Sequence, residues 1–414
     1  MILNKKFNLI FTIILCLNAT LLLFPRNFKF IPILFLFILS FYSYMTTRRV
    51  DKYFFVFTSI PYLILLLGML NTQNIYYGLK ALETRSSLLL YPLCFALIPK
   101  KEIKWQIENR LNYILGFFCF ATFIFSLSIF FYFKIFEERT LSYIIQHNNT
   151  LMNISIYSKY QIHPIYLALN VGVSLIFSFF IHKTLKNNNL KLLNSIFILF
   201  SVLLLAIINK RMAIISLIIV GLIYLILNFK KNVNKNRTLF YYVIFIILIF
   251  LGVVFFPRYK DQNSFNEFKK ISSVIYDPET SIGKRVYLYR TAIDIFLKNP
   301  LLGIGTGDAD INLSDRLVNK LQIKYQNYNT HNQYLSYLVS LGLFGFIIFM
   351  VYLFYILKIS IIRNDILFIC LFVFLCLNML SENILERESG VLVYAFFINF
   401  LLKSNWNFKN KNIK

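Results

Sequence analysis

Residues 240–270 read FYYVIFIILIFLGVVFFPRYKDQNSFNEFKK, an unbroken apolar run that stops at Pro257 and gives way to charged and amide side chains. The apolar half, Phe240–Phe256, is about as long as a bilayer's hydrocarbon core requires of a helix. The polar half opens a segment that continues to Asn332, after which the chain turns apolar again. A polar stretch bounded on both sides by such runs is a structured region at a membrane surface. It holds most of the chain's concentrated polar and glycine chemistry, so the activity is expected there.

The same alternation runs through all 414 residues, of which 58% are hydrophobic and 46 are Phe. Spans are expected at Phe7–Phe24, Phe30–Met45, Tyr53–Leu70, Ser86–Ile98, Ile114–Phe133 and Pro164–Ile181. Further spans are expected at Leu192–Ile208, Met212–Leu227, Phe240–Phe256, Leu335–Leu357, Ile366–Leu380 and Val391–Leu402. The fold class is therefore all-α and integral to the membrane, with about twelve transmembrane helices and one large extracytoplasmic loop containing amphipathic helices. The expected organisation is an N-terminal bundle over 1–256, a catalytic loop over 257–332, and C-terminal helices with a tail over 333–414. Lys5 and Lys6 before the first run suggest a signal peptide, but no small-residue cleavage site follows, so that run reads as a retained helix.

A net charge of +25 invites a nucleic-acid reading, yet its distribution is topological. With the N-terminus inside, each inside loop carries at least two basic residues, among them Arg48 and Arg49, Lys100 and Lys101, Lys230 and Lys231, and Lys403 and Lys409. That is the positive-inside rule, and it places both termini in the cytoplasm. It leaves Asn71–Arg85, Lys134–His163, Pro257–Asn332 and Ser381–Gly390 as the substantial outside loops, with Arg211 in a short outside turn. Cys16, Cys94, Cys119, Cys370 and Cys376 all fall inside expected helices, so no extracytoplasmic disulfide framework is indicated.

Within the polar segment, Gly283–Lys298 (GKRVYLYRTAIDIFLK) reads as an amphipathic helix with Val286, Tyr289, Ala292, Ile293 and Phe296 on its apolar face. Asn299-Pro300 ends it. Then come Leu301-Leu302-Gly303-Ile304-Gly305-Thr306-Gly307-Asp308 and, at the next span, Thr330-His331-Asn332-Gln333. The glycines either bring backbone amides to phosphate or let the turn pack closely; close packing is the plainer reading. Asp308-Ala309-Asp310 imitates the D-x-D metal motif of nucleotide-sugar transferases, a weak signal in a loop facing away from the cytoplasm.

The order of these elements resembles the O-antigen ligase and polymerase superfamily. Its pattern is an Arg before an amphipathic helix with an aromatic, then P-L-L-G-x-G-x-G, then H-N-x-Y-L leading into a helix with G-L-x-G. Here these are Arg285, Tyr289, Pro300 to Gly307, His331 to Leu335, and Gly342-Leu343-Phe344-Gly345. The match covers about a quarter of the chain, and the first half resembles the family only in hydropathy. The resemblance implies a GT-C-like enzyme of the bacterial cytoplasmic membrane. Such an enzyme moves a glycan from undecaprenyl diphosphate, at the outer face, to lipid A–core or another glycan, with no cofactor, no metal and no nucleic-acid partner.

The resemblance also implies roles for particular residues. His331, Arg285 and Arg211 would be catalytic, with Arg211, Arg285, Arg290 and Asn332 binding substrate. The chemistry is consistent. Guanidinium stays charged and grips phosphate oxygens in pairs. Histidine can take the proton of an attacking sugar hydroxyl. Each residue also has a plain alternative: an outside Arg is commonly a headgroup contact, and for Arg290 the alternative is a snorkelling side chain. Glu382, Glu386, Arg387 and Glu388 in the last outside loop either orient an active-site Arg or end two helices. His163 at the sixth span is a candidate for the acceptor path, and Glu83 and Arg85 precede the fourth.

A transporter of lipid-linked glycans is the rival from another class. It would carry charges along a membrane path, whereas these spans are nearly uncharged. Ligase, polymerase and protein O-oligosaccharyltransferase share donor chemistry; the ligase is favoured over the polymerase.

Overall fold

A computed structural model describes residues 5–140, 143–144, 162–229, 281–321 and 329–406. The expected span Phe240–Phe256 and the irregular stretch Pro257–Thr280 lie outside these. Among the described residues all regular structure is helical. Numbered in order, the helices are α1 (Lys5–Ala19), α2 (Phe30–Thr47), α3 (Lys52–Thr58), α4 (Ile60–Gly68), α5 (Ile75–Thr84), α6 (Ser87–Leu97), α7 (Lys100–Phe131) and α8 (Pro164–Thr184). They continue as α9 (Asn188–Ile208), α10 (Arg211–Phe229), α11 (Ser281–Lys298), α12 (Ala309–Leu321), α13 (Gln333–Ile362), α14 (Ile366–Asn378) and α15 (Glu388–Asn405).

Every expected span within the described residues overlies a helix, but fewer can cross a bilayer alone. Six are long and apolar enough, or up to seven if α3 and α4, bent by 58°, form one broken span. Pro61 in the first turn of α4 explains that bend: it has no N–H to continue the ladder from α3. α6 and α14, of 11 and 13 residues, rise only about 17–20 Å against a core of about 30 Å.

α8 is the central post. It is apolar on every side, 83% of its span is buried, and it packs on α7, α9, α10, α14 and α15. Gly172 lets the Phe374 ring of α14 lie directly against its backbone. α9 is buried over only 33% of its span and leaves Leu192, Leu193, Ile196 and Leu199 exposed, as suits a lipid-facing helix.

Two expectations need correction. Asn71–Arg85 is not simply a loop, because most of it is α5. In α11 the buried stripe is Leu288, Ala292 and Ile295, packed with Leu313 and Leu317 of α12 and Val339 of α13, while Ile293 is exposed. Periodicity offered two overlapping apolar faces, and the position of α12 and α13 decides between them. Tyr289 reaches over α14, its hydroxyl donating to the Leu380 carbonyl at 3.4 Å.

Candidate functional site

The site is built on a junction between two glycine turns. α13 breaks at Gly342, where φ is +64°. The break leaves carbonyls and amides without helical partners, and the 300–305 turn supplies them. Ile304 and Gly305 donate to the carbonyls of Val339 and Ser340 at 3.0 Å each. Leu343 and Phe344 donate back to Pro300 and Leu301 at 2.8 and 3.1 Å. The turn is clamped on its other side by residues 65–74. Thr306 Oγ1 donates to the Leu65 carbonyl at 2.7 Å, and Asn71 Nδ2 donates to the Gly303 carbonyl at 2.5 Å. Asp308 is buried, and its carboxylate accepts from the amides of Gln73 at 2.6 Å and Asn74 at 3.1 Å, and from Asn74 Nδ2. These glycines therefore serve close backbone packing, and Asp308 caps a neighbouring loop.

That junction fixes the start of α13 and the turn before it. His331 sits there with φ +46°, a left-handed conformation that costs about 1 kcal/mol or more outside glycine. Its amide donates to Asn329 Oδ1 at 3.1 Å, and Thr330 Oγ1 donates to the Asn332 carbonyl at 2.8 Å. Asn332 is the N-cap of α13, its Oδ1 accepting from Tyr334 and Leu335 at 3.0 and 3.1 Å. The strained turn thus holds the imidazole away from the helix it precedes.

His331 Nδ1 stands 3.1 Å from Oε2 of Glu382, a carboxylate only 6% exposed. Burial alone would raise the Glu382 carboxyl. The hydrogen bond from His331, with the charge of Arg285 among the lesser causes, outweighs burial and holds it below its ordinary value. An ionised Glu382 accepts from Nδ1–H, which leaves the Nε2 lone pair to take a proton.

The residues of the 381–387 turn are themselves held from below. Glu386 pairs with Arg85 at 3.7 Å, both almost fully buried, and accepts from Asn383 Nδ2 at 2.6 Å and from Ser336. Gln333 is fully buried and accepts from the Leu385 amide at 2.7 Å. Tyr166 of α8 donates to the Asn383 carbonyl at 3.1 Å.

Around this framework gather charges from chain segments far apart in sequence. His163 feels Lys210, Glu382, His331 and Arg387; Asp310 feels Glu386, Arg85, Arg387 and His331. Asp310 presents an exposed side chain, yet the surrounding protein together with Glu386 raises its carboxyl to about 7, against the pull of Arg85, Arg387 and His331.

Of the residues singled out by sequence, His331 is set against Glu382, and Arg285 acts on that carboxylate only through its charge. Arg211 opens α10, next to Lys210 at the tip of the α9–α10 hairpin that Asn209 turns with φ +48°. Arg290 is exposed on α11. In the sequence Glu382 is one of several acidic candidates, and Lys210, beside Arg211, has no role of its own assigned. The signal for both is local: ionisable residues in short connections between long apolar helices.

Residues 196–350 match the family model of the O-antigen ligases. The matched stretch includes the α9–α10 hairpin, α11, the glycine turn and the His331 turn; Glu382 and the 381–387 turn lie beyond it. No curated protein matches the chain.

Proposed function

We propose, from the match of residues 196–350 to the O-antigen ligase family model, that the chain transfers a glycan from undecaprenyl diphosphate to lipid A–core at the outer face of the bacterial cytoplasmic membrane. The observation that carries this reading is the His331–Glu382 pair, with Arg285 acting on the same carboxylate. A base oriented by a buried acid, on which a guanidinium also exerts its charge, suits attack by a hydroxyl on a sugar whose leaving group is an anion.

In this mechanism His331 Nε2 accepts the proton of the acceptor hydroxyl as its oxygen bonds to the anomeric carbon. The bond from that carbon to the diphosphate oxygen breaks, and the departing diphosphate keeps the electron pair. Arg285 and Arg211 stabilise the charge that develops on it. Attack from the side opposite the leaving group inverts the anomeric centre. Glu382 steadies the imidazolium once formed and keeps Nε2 aimed at the acceptor. A polymerase would run the same chemistry with a lipid-linked repeat unit as acceptor, so the acceptor alone separates the two readings.

Complementation tests the assignment. In a ligase-deficient strain with matching glycan, the chain should restore long glycans on lipid A–core, and His331→Ala and Arg285→Ala should abolish them at equal expression. Longer chains in a polymerase-deficient strain instead would make it a polymerase. Rescue that survives both substitutions would remove the site from the mechanism.

A further inference from the structure

His163 opens α8, and two constraints define its chemistry. Its Nδ1 accepts a hydrogen bond from the Ile165 amide at 3.3 Å, making the ring the N-cap of a helix whose first residue is Pro164. A ring nitrogen that accepts carries no proton, so the neutral imidazole holds its proton on Nε2, at the opposite edge. Protonation at Nδ1 would break the cap. Burial acts in the same direction and pushes the ring down to about 4, with Lys210, His331 and Arg387 adding to the shift and Glu382 opposing it. At neutral pH His163 is a fixed, uncharged donor.

The cap alone does not call for histidine. Ser, Thr, Asp and Asn cap helices more commonly and with fewer atoms. What histidine adds is an N–H on its far side, at a helix start that packing sets beside other segments: Tyr166, one turn along α8, donates to the Asn383 carbonyl in the turn that holds Glu382 and ends at Arg387, and α8 packs on both arms of the α9–α10 hairpin that carries Lys210. The charges of Lys210 and Arg387 act on this ring. A ligand for such a place is an anion with several oxygens.

We propose that His163 donates Nε2–H to a diphosphate oxygen of the lipid-linked donor, with Lys210 and Arg387 supplying charge beside it. This rests on reading the site as a lipid-diphosphate transferase. It adds to that reading a second phosphate-binding pole, made partly of residues outside the matched family region. His163 is the element of that pole whose tautomer the fold dictates.

The test is binding of farnesyl diphosphate to the purified full chain in micelles, by calorimetry, beside farnesyl monophosphate and phosphatidylglycerol. His163→Asn keeps the cap, since the Asn oxygen accepts where Nδ1 did, but loses the outer N–H. It should melt as the parent does and bind farnesyl diphosphate about tenfold more weakly. Parent-like affinity would overturn the proposal and leave His163 as a cap only. An equal loss for all three ligands would also overturn it, marking a general headgroup site. Should His163→Asn melt early, Lys210→Gln and Arg387→Gln decide: each must weaken the diphosphate selectively. Binding that depends on His163 in a chain that transfers no glycan in any strain would retain this pole while rejecting the transferase reading.

Discussion

Gly303 and Gly342 exclude side chains from each other. A Cβ on Gly303 would stand 2.5 Å from the Gly342 amide nitrogen, and one on Gly342 would stand 2.5 Å from the Gly303 amide nitrogen. Both also have positive φ, +68° and +64°. The contacting atoms are backbone on both sides, so neither partner can yield by changing rotamer. Gly303→Ala and Gly342→Ala should each cost about 3 kcal/mol or more, the sum of left-handed strain and overpacking. Gly116 sits in α7 with nothing near its missing side chain. Gly116→Ala should be neutral or stabilise by up to about 1 kcal/mol. Thermal unfolding in one detergent would rank the three, and equal melting would show that the glycine junction does not hold the fold.

Glu382→Gln removes the charge that orients His331 while leaving the turn's shape. An amide cannot stabilise the imidazolium and can bond Nδ1 in the wrong tautomer, so glycan transfer should fall about 100-fold or more. The folded-state carboxyl lies below its ordinary value, so its contribution to stability is present above the unfolded value, about 4.3, and fades as pH falls through the folded one. The variant should lose that acid step. Unchanged transfer would show that the 3.1 Å contact has no part in the chemistry.

Asp308 offers a test between a cap and a metal ligand. Its carboxylate oxygens are engaged by residues 73 and 74, and removing them takes a charged acceptor from two backbone amides. Asp308→Ala should lower stability by about 2–3 kcal/mol. A cap gives the same loss with or without added magnesium or manganese. An ion that raises the parent's melting temperature and widens its gap to Asp308→Ala would restore the D-x-D reading.

Asp310 should write its titration into the stability curve. Its folded carboxyl lies at about 7, above the unfolded value of about 3.9, so the native state favours the protonated form. That stabilisation is complete below the unfolded value and is lost as pH rises through about 7. Asp310→Asn cannot ionise and should flatten melting temperature between roughly pH 4 and 7. A variant curve that tracks the parent would place the titration elsewhere.

Much of the site was legible because its chemistry is clustered along the chain. Arg285, the glycine turn and His331 fall within one polar segment between apolar runs, and their order carried the family resemblance that residues 196–350 then matched. The span positions were legible for the same reason, since hydropathy is a property of consecutive residues. The bilayer-crossing ability of each helix was less so. Hydropathy did not show that Pro61 would bend one span, or that α6 would stop at 11 residues.

Sequence by itself determined a helical membrane chain, a polar segment between apolar runs, and the residue types that segment holds. Tertiary structure alone decided that Glu382, 51 residues beyond His331, is its partner. It also decided that Leu288 rather than Ile293 faces inward, and that the charges of Lys210 and Arg387 act on His163. The physical reason is that a periodic pattern marks which faces of a helix are apolar but not what each face meets. Ion pairs between distant segments form only where packing brings their ends together, and that packing is a property of the whole bundle.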